Sequence, residues 1–193
     1  MPLSATPFFV ALGWISLRLR GLGWRDVGFT WPRRWRAELT LGALAGIGME
    51  LLADFVTEPA LARLVGTPAN LSPLRPLIGN LRLLLLALVA NWLLAAVGEE
   101  MAFRGYLLNR LADLGRGTPG AWVLSLVSVS TIFGACHYEV QGVTGMLQEA
   151  FSGLLLGLLY LGCGRRLAVP IVAHGISNTL ALVLIYYGRY YGL

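Results

Sequence analysis

The sequence predicts an all-α fold, a polytopic transmembrane bundle of about six helices. Charged residues make up only 13% of the 193 positions and hydrophobic residues 56%, whereas a soluble domain carries about a quarter charged residues. Apolar runs such as the one from Leu83 to Val89 are continuous, and so lack the alternation that is typical of barrel strands. The chain is therefore expected to use the lipid bilayer as its solvent.

Six apolar stretches account for the predicted spans, judged against about 20 residues per crossing. The first runs from Leu3 to Leu17 and contains Pro7, so we expect it to be short or partial. The other five are expected over Leu39 to Val56, from Leu83 onward, and over Ala121 to His137, Val143 to Gly162 and Leu167 to Tyr187. We interpret residues 1–193 as one integral membrane domain.

The net charge of +5 comes from 15 basic residues, all of them arginine. Most lie in the predicted loops 18–38, 104–118 and 163–166, which the positive-inside rule assigns to the cytoplasm, with the N-terminus outside. Arg63, Arg75 and Arg189 would then face outward. This distribution favours a membrane protein over a nucleic-acid-binding one. Small size and the exclusive use of arginine favour a bacterial cytoplasmic membrane, and no removable signal peptide is expected.

Charges inside apolar spans are costly and usually functional, and the segment 98–104 holds three of them. Glu100 and Arg104 are four residues apart, so they share one face of an α-helix and can form a pair. Glu99 points about 140° away from Arg104 and is left unpaired, as a general base requires. A structural alternative is that the third span ends at Gly98 and that these residues solvate its cytoplasmic end.

The only two histidines both fall in predicted spans. Phe133 and His137 are four residues apart, as are His174 and Asn178. An imidazole beside a carboxamide can hold a water molecule or donate to a developing oxyanion. The structural alternatives are a hydrogen-bonded histidine at a helix end and a polar contact between helices.

Other polar residues of the spans indicate no definite chemistry. Glu50, Asp54 and Glu58 form a stripe at spacing four, in which like charges repel, so some of them are expected at the membrane interface. Glu149 is expected to face the bundle or a pore. Ser177 lacks a nucleophile elbow, which argues against a serine hydrolase, and the two cysteines, at positions 136 and 163, cannot form a disulfide framework.

The three motifs together, Glu-Glu-x-x-x-Arg, Phe-x-x-x-His and His-x-x-x-Asn, occur in this order on successive hydrophobic segments. The chain resembles the CAAX-protease and bacteriocin-processing (CPBP) family of intramembrane proteases, which includes the eukaryotic type II CAAX prenyl endopeptidase. The resemblance covers about residues 83–187. It rests on the following residues: Glu99, Glu100, Arg104, Phe133, His137, His174 and Asn178.

The resemblance implies an endopeptidase that cleaves a membrane-anchored protein or peptide. Glu99 would activate a water molecule that His137 helps to position, and His174 with Asn178 would bind that water or stabilise the oxyanion. Glu100 and Arg104 would be the supporting pair. The family also raises the question of zinc, for which Glu99, His137 and His174 would be the ligands. Histidine spacing leaves open whether the cofactor is zinc or none.

Two other classes of protein remain as alternatives. An ion-coupled transporter would use its membrane carboxylates as a relay, but it predicts repeated halves, and the sequence contains no convincing repeat. A catalytically silent scaffold or immunity protein would keep the motifs for packing alone. The oligomeric state and the physiological substrate do not follow from the sequence.

Overall fold

A computed structural model describes residues 5–190 of the chain. This range is helical and contains no strand, which confirms the all-α prediction. We number its long helices α1 to α6: Thr6–Leu19, Trp35–Val65, Leu81–Leu114, Pro119–Ala135, Tyr138–Gly162 and Ala168–Tyr186. Short 3-10 turns at Trp24–Val27 and Ser72–Leu77 lie in two of the loops. Leu3, where the first span was expected to begin, lies outside the described residues.

Four of these helices, α2, α3, α5 and α6, are long and apolar enough to cross a membrane, while α1 and α4 are shorter apolar helices. Side chains are distributed as a lipid environment requires. Large apolar residues such as Leu86, Leu93 and Leu158 are exposed on the outer surface. Several ionisable residues, among them Glu100 and Arg104, are buried inside the bundle. The protein is therefore a polytopic membrane bundle.

Local sequence signals define where the helices begin and end. The side chain of Asn80 accepts a hydrogen bond from the backbone N–H of Leu83 and caps α3. Thr118 caps α4 in the same way, with Pro119 at the first helical position. Helix α2 ends where Gly66 adopts a φ of 88°, a conformation that favours glycine.

Helix α2 continues to Val65, beyond its predicted end at Val56, and helix α3 runs without interruption to Leu114, through most of the predicted loop 104–118. Glu99, Glu100 and Arg104 are buried, so they do not solvate the end of a span at Gly98 as the structural alternative required. The predicted loop 104–118 shrinks to residues 115–118. Both helices contain wider π-helical turns, at Ala53–Thr57, Asn91–Glu99 and Met101–Leu108. Such turns are frequent at functional sites.

Helix α2 packs along α6, and α4 packs along α5. Both pairs of helices contact the middle of α3. At one end of the bundle the loops 20–34 and 163–167 meet, where the backbone N–H of Leu167 donates to the carbonyl of Gly28. At the other end, the N–H of Asn70 donates to Gln141 and that of Gly79 donates to Tyr186. The arginine-rich loops 18–38 and 163–166 thus lie on one side, as the prediction of topology requires.

Candidate active site

The centre of the site is an ion pair inside α3. Arg104 donates from one guanidinium nitrogen to Oε1 of Glu100 at 2.6 Å, and both side chains are fully buried. The spacing of four residues predicted this pairing, and it persists although the helix is π-helical on either side of Glu100. A buried charge pair requires further hydrogen bonds to offset its desolvation.

Arg104 obtains two further contacts from neighbouring helices. Its other terminal nitrogen donates to the carbonyl of Gly153 on α5 at 2.9 Å. Its guanidinium carbon lies 4.6 Å from the centre of the Phe133 ring on α4, a geometry that allows a cation–π interaction. Arg104 therefore ties α3, α4 and α5 together at the level of the ion pair.

His174 on α6 completes the group around Glu100. Its Nδ1 lies 2.9 Å from the same Oε1 atom that Arg104 contacts. Because a carboxylate oxygen only accepts, Nδ1 must carry the hydrogen. Glu100 therefore fixes the orientation of the His174 ring and leaves Nε2 as the free ring nitrogen.

His137 lies in the turn between α4 and α5. Helix α4 ends at Ala135, two residues before the predicted end of this span at His137, and α5 begins at Tyr138. Its Nδ1 lies 2.8 Å from the carbonyl oxygen of Phe133, which can only accept, so this Nδ1 also donates. The Nε2 atom of the neutral ring is then an acceptor.

Glu99 differs from Glu100 in having no partner. It is only 2% exposed, yet its carboxylate makes no hydrogen bond or ion pair with any residue between 5 and 190. It lies close enough to His137 and His174 to interact electrostatically with both imidazoles. The division of the two glutamates, one paired and one free, agrees with the geometry expected from the sequence.

The predicted site residues, except Glu100 and Arg104, surround one cavity of about 390 Å³ inside the bundle. Glu99, Phe133, His137, His174 and Asn178 line it. The carboxamide of Asn178 makes no hydrogen bond within the described part of the chain, so it remains available to a ligand in the cavity. The three separate sequence motifs thus converge on a single cavity.

Asn91 is a polar residue at this site that sequence reasoning missed. Asn91 on α3 is buried and donates from Nδ2 to the carbonyl of Gly175 at 3.0 Å and to the hydroxyl of Thr179 at 3.3 Å. It therefore fixes α6 against α3 immediately beside His174. The available signal was a single amide in the otherwise apolar stretch that begins at Leu83.

The acidic stripe on α2 is arranged differently from the prediction. Glu50 and Glu58 are buried and line the cavity, whereas Asp54 is half-buried and does not. The π-helical turn at Ala53–Thr57 accommodates an extra residue, so the spacing of four no longer keeps all three residues on one line. Ser177 donates its hydroxyl to Glu50 at 2.7 Å and has no histidine as a base.

Comparison with known proteins identifies the family. The family model described as "Type II CAAX prenyl endopeptidase Rce1-like" matches residues 81–180, a stretch that contains every member of the three motifs. The chain belongs to this family. Membership makes it a CAAX-type intramembrane protease at the level of the family, and it confirms the resemblance on which the site residues were chosen.

A curated relative from Escherichia coli carries the description "Uncharacterized 24.3 kDa protein". It is 26% identical over 158 residues, which cover 78% of this chain and 71% of the relative. No solved structure matches the chain.

The family raises the question of a metal ion, for which the sequence named Glu99, His137 and His174. Between residues 5 and 190, neither these three nor any other three His, Cys, Asp or Glu residues lie close enough together to hold a metal ion. These side chains, as arranged, do not fit a zinc site. The chemistry proposed below is therefore assigned to the side chains themselves.

Proposed function

We propose that this protein is an intramembrane endopeptidase that hydrolyses a peptide bond of a membrane-anchored protein or peptide. The observation that carries the proposal is the state of Glu99. This carboxylate is deeply buried, has no partner among the described residues and lines a cavity together with both imidazoles. Glu100, by contrast, is occupied by Arg104 and His174.

The proposed reaction begins with a water molecule held between Glu99 and Nε2 of His137. Glu99 accepts one proton from the water, and the water oxygen attacks the carbonyl carbon of the scissile peptide bond. The carbonyl oxygen becomes an oxyanion, to which the N–H group of Asn178 donates. Collapse of the tetrahedral intermediate breaks the C–N bond, and the proton held by Glu99 passes to the departing amine.

His174 has a positioning role and a binding role in this scheme. Its Nδ1 is held by Glu100, which restrains rotation of the ring, and the residue lines the same cavity as Asn178. Preorganised groups of this kind need no rearrangement as charge develops in the transition state. Glu100 and Arg104 support catalysis through His174, without contact with the substrate.

The cavity also suits a substrate that resides in the membrane. Its wall contains small and aliphatic side chains from the helices, among them Ala87, Ala95 and Leu182, which favour an apolar peptide segment. The Escherichia coli relative and the arginine-rich loops 18–38 and 163–166 support a bacterial cytoplasmic membrane as the location.

The test is hydrolysis by purified protein reconstituted in phosphatidylcholine and phosphatidylglycerol liposomes. Two probes are needed, one peptide ending in a prenylated CAAX sequence and one palmitoylated peptide without a prenyl group, with products identified by mass spectrometry. Glu99→Gln is expected to abolish turnover, because the amide cannot accept the proton. Glu139→Gln, on an exposed residue that does not line the cavity, is the control and should retain full activity.

Two results would contradict the proposal. Full turnover by Glu99→Gln would exclude Glu99 as the base. Loss of turnover after chelation, with recovery on addition of zinc to protein shown to bind zinc by elemental analysis, would replace the side-chain mechanism by a metal-assisted one.

A further inference from the structure

The cavity extends beyond the proposed hydrolytic residues to a second group of carboxylates. Glu50 and Glu58 from α2 and Glu149 from α5 line it together with Glu99. We call Glu50, Glu58 and Glu149 the acidic lobe. Among the described residues that line the cavity there is no arginine, and the sequence contains no lysine. The lobe is therefore strongly acidic in a chain whose net charge is +5.

Three carboxylates outside the cavity have arginine partners. Glu38, Glu100 and Asp113 each form an ion pair with an arginine. Within residues 5–190, no member of the acidic lobe forms one. The buried glutamates of the lobe thus differ from the buried Glu100, whose charge is compensated by Arg104.

Glu50 is the member that points most directly to a missing ligand. It is only 5% exposed, and Ser177 donates to its Oε2 atom, with the Tyr190 hydroxyl near the carboxylate. Its Oε1 atom is buried and has no hydrogen-bond partner in the described structure. Glu58 is 3% exposed, and between residues 5 and 190 it accepts a single hydrogen bond, a long one from the backbone N–H of Ala69 at 3.3 Å.

Burying carboxylates without partners is costly, and a cation that enters the cavity offsets the cost. A bare metal ion does not match the lobe, because its carboxylates do not converge closely enough to hold one in the described range. A cation with several N–H donors spread over a larger group matches better. The guanidinium of arginine has five such donors, and the ammonium of lysine has three.

Glu149 relates the lobe to the proposed reaction centre. It lines the same cavity as Glu99, Glu50 and Glu58 and lies close enough to all three to interact with them electrostatically. It is half-buried and makes no ion pair with the described residues. A cationic side chain in the lobe would thus belong to a residue close to the bond that is cleaved.

We propose that the acidic lobe is a specificity pocket that binds an arginine or lysine side chain of the substrate next to the scissile bond. The inference rests on the proposed function and adds the substrate class, namely membrane-anchored peptides with a basic residue beside the cleavage site. Apolar side chains of the cavity wall contact the rest of the peptide, and the lobe selects the cation.

The experiment uses the full chain in liposomes and palmitoylated peptides that are identical except at one position. That position is arginine, norleucine or glutamate, and it is moved one residue at a time along the cleaved segment. At one position, kcat/KM for arginine is expected to exceed that for norleucine about tenfold, with glutamate lowest, as one close charge pair would give. In Glu50→Gln and in Glu149→Gln the ratio should fall toward one.

Two controls keep the outcomes distinct. Glu139→Gln removes an exposed carboxylate outside the cavity and should keep the full preference. Glu149→Gln provides the test if the more deeply buried Glu50→Gln does not fold. Equal kcat/KM for the three side chains at every position, or a preference that both lobe variants retain, would overturn the inference.

A binding measurement separates this inference from the proposed function. Fluorescence anisotropy of the same peptides with the Glu99→Gln protein should show tighter binding of the arginine peptide, and Glu149→Gln in that background should remove the difference. Preferential binding without any hydrolysis by the natural protein would contradict the endopeptidase and support the specificity pocket. Hydrolysis without preferential binding of the arginine peptide would support the endopeptidase and contradict the specificity pocket.

Discussion

Oε1 of Glu100 accepts from Arg104 at 2.6 Å and from Nδ1 of His174 at 2.9 Å. One carboxylate oxygen on α3 thus neutralises a buried arginine and orients an imidazole on another helix. Because both functions depend on the same charged atom, stability and turnover should respond together when it is changed.

Substitution of Glu100 by glutamine should lower both stability and turnover. The amide keeps the shape but loses the charge, which leaves Arg104 uncompensated in the interior, and removing one partner of a buried pair costs about 3–5 kcal/mol. We expect a lower thermal unfolding temperature in detergent and a fall in kcat, with Glu139→Gln as the control. An unchanged unfolding temperature would show that Arg104 finds its compensation elsewhere.

Replacement of Arg104 by lysine tests the planar guanidinium separately from its charge. Lysine cannot bond Glu100 and the Gly153 carbonyl in the same geometry or stack flat on Phe133. Loss of one hydrogen bond from a charged group costs about 1.5–3 kcal/mol. The variant should unfold at a lower temperature than the natural protein but higher than an Arg104→Met variant, which lacks the charge. Equal stability of all three proteins would contradict this account.

Helix α2 offers a matched pair of glycines that tests its packing against α6. A Cβ on Gly46 would meet the carbonyl oxygen of Ala173, the residue before His174, whereas a Cβ on Gly48 would meet nothing. Gly46→Ala should therefore destabilise by about 1–3 kcal/mol through overpacking and displace His174, lowering kcat. Gly48→Ala should be neutral or gain up to about 1 kcal/mol of helix propensity. Thermal unfolding and peptide hydrolysis measure both effects, and similar behaviour of the two variants would refute the packing argument.

Gly142 allows the chain to turn from His137 into the main part of α5. Its φ of 73° and ψ of −167° break the helix, in a region that is essentially restricted to glycine and costs other residues about 1–3 kcal/mol. Gly142→Ala should lower the unfolding temperature. Gly162→Ala, near the end of the same helix with open space around its Cβ position, should not. Circular dichroism during heating measures the difference. Equal unfolding temperatures of the two variants would contradict the argument from backbone strain at Gly142.

Particular residues show how far the sequence could predict this site. The pairing of Glu100 with Arg104 and the separation of Glu99 follow from residue spacing on a helix, which depends only on local geometry. The same spacing failed for Glu50, Asp54 and Glu58, because a π-helical turn at Ala53–Thr57 shifts the register between them. Sequence periodicity assumes a regular helix, and it contains no signal for a widened turn.

The role of Asn91 and the position of His137 show a second limit. Asn91 is a single amide whose partners are 84 and 88 residues away in the sequence, so only the packing of α3 against α6 reveals its function. The helical period continues smoothly through residues 133–137, but the helix ends at Ala135, and His137 lines the cavity from the turn that follows.

By itself, the sequence determined that the chain is an all-α membrane bundle and that its charged motifs belong to one protease family. Composition and short-range spacing suffice for both, since they reflect solvent and local helix geometry. Only the tertiary structure decided that Glu99, both imidazoles and Asn178 line one cavity with the carboxylates of α2 and α5. Contacts between helices depend on crossing geometry and side-chain packing over long sequence separations, which residue spacing along one chain does not encode.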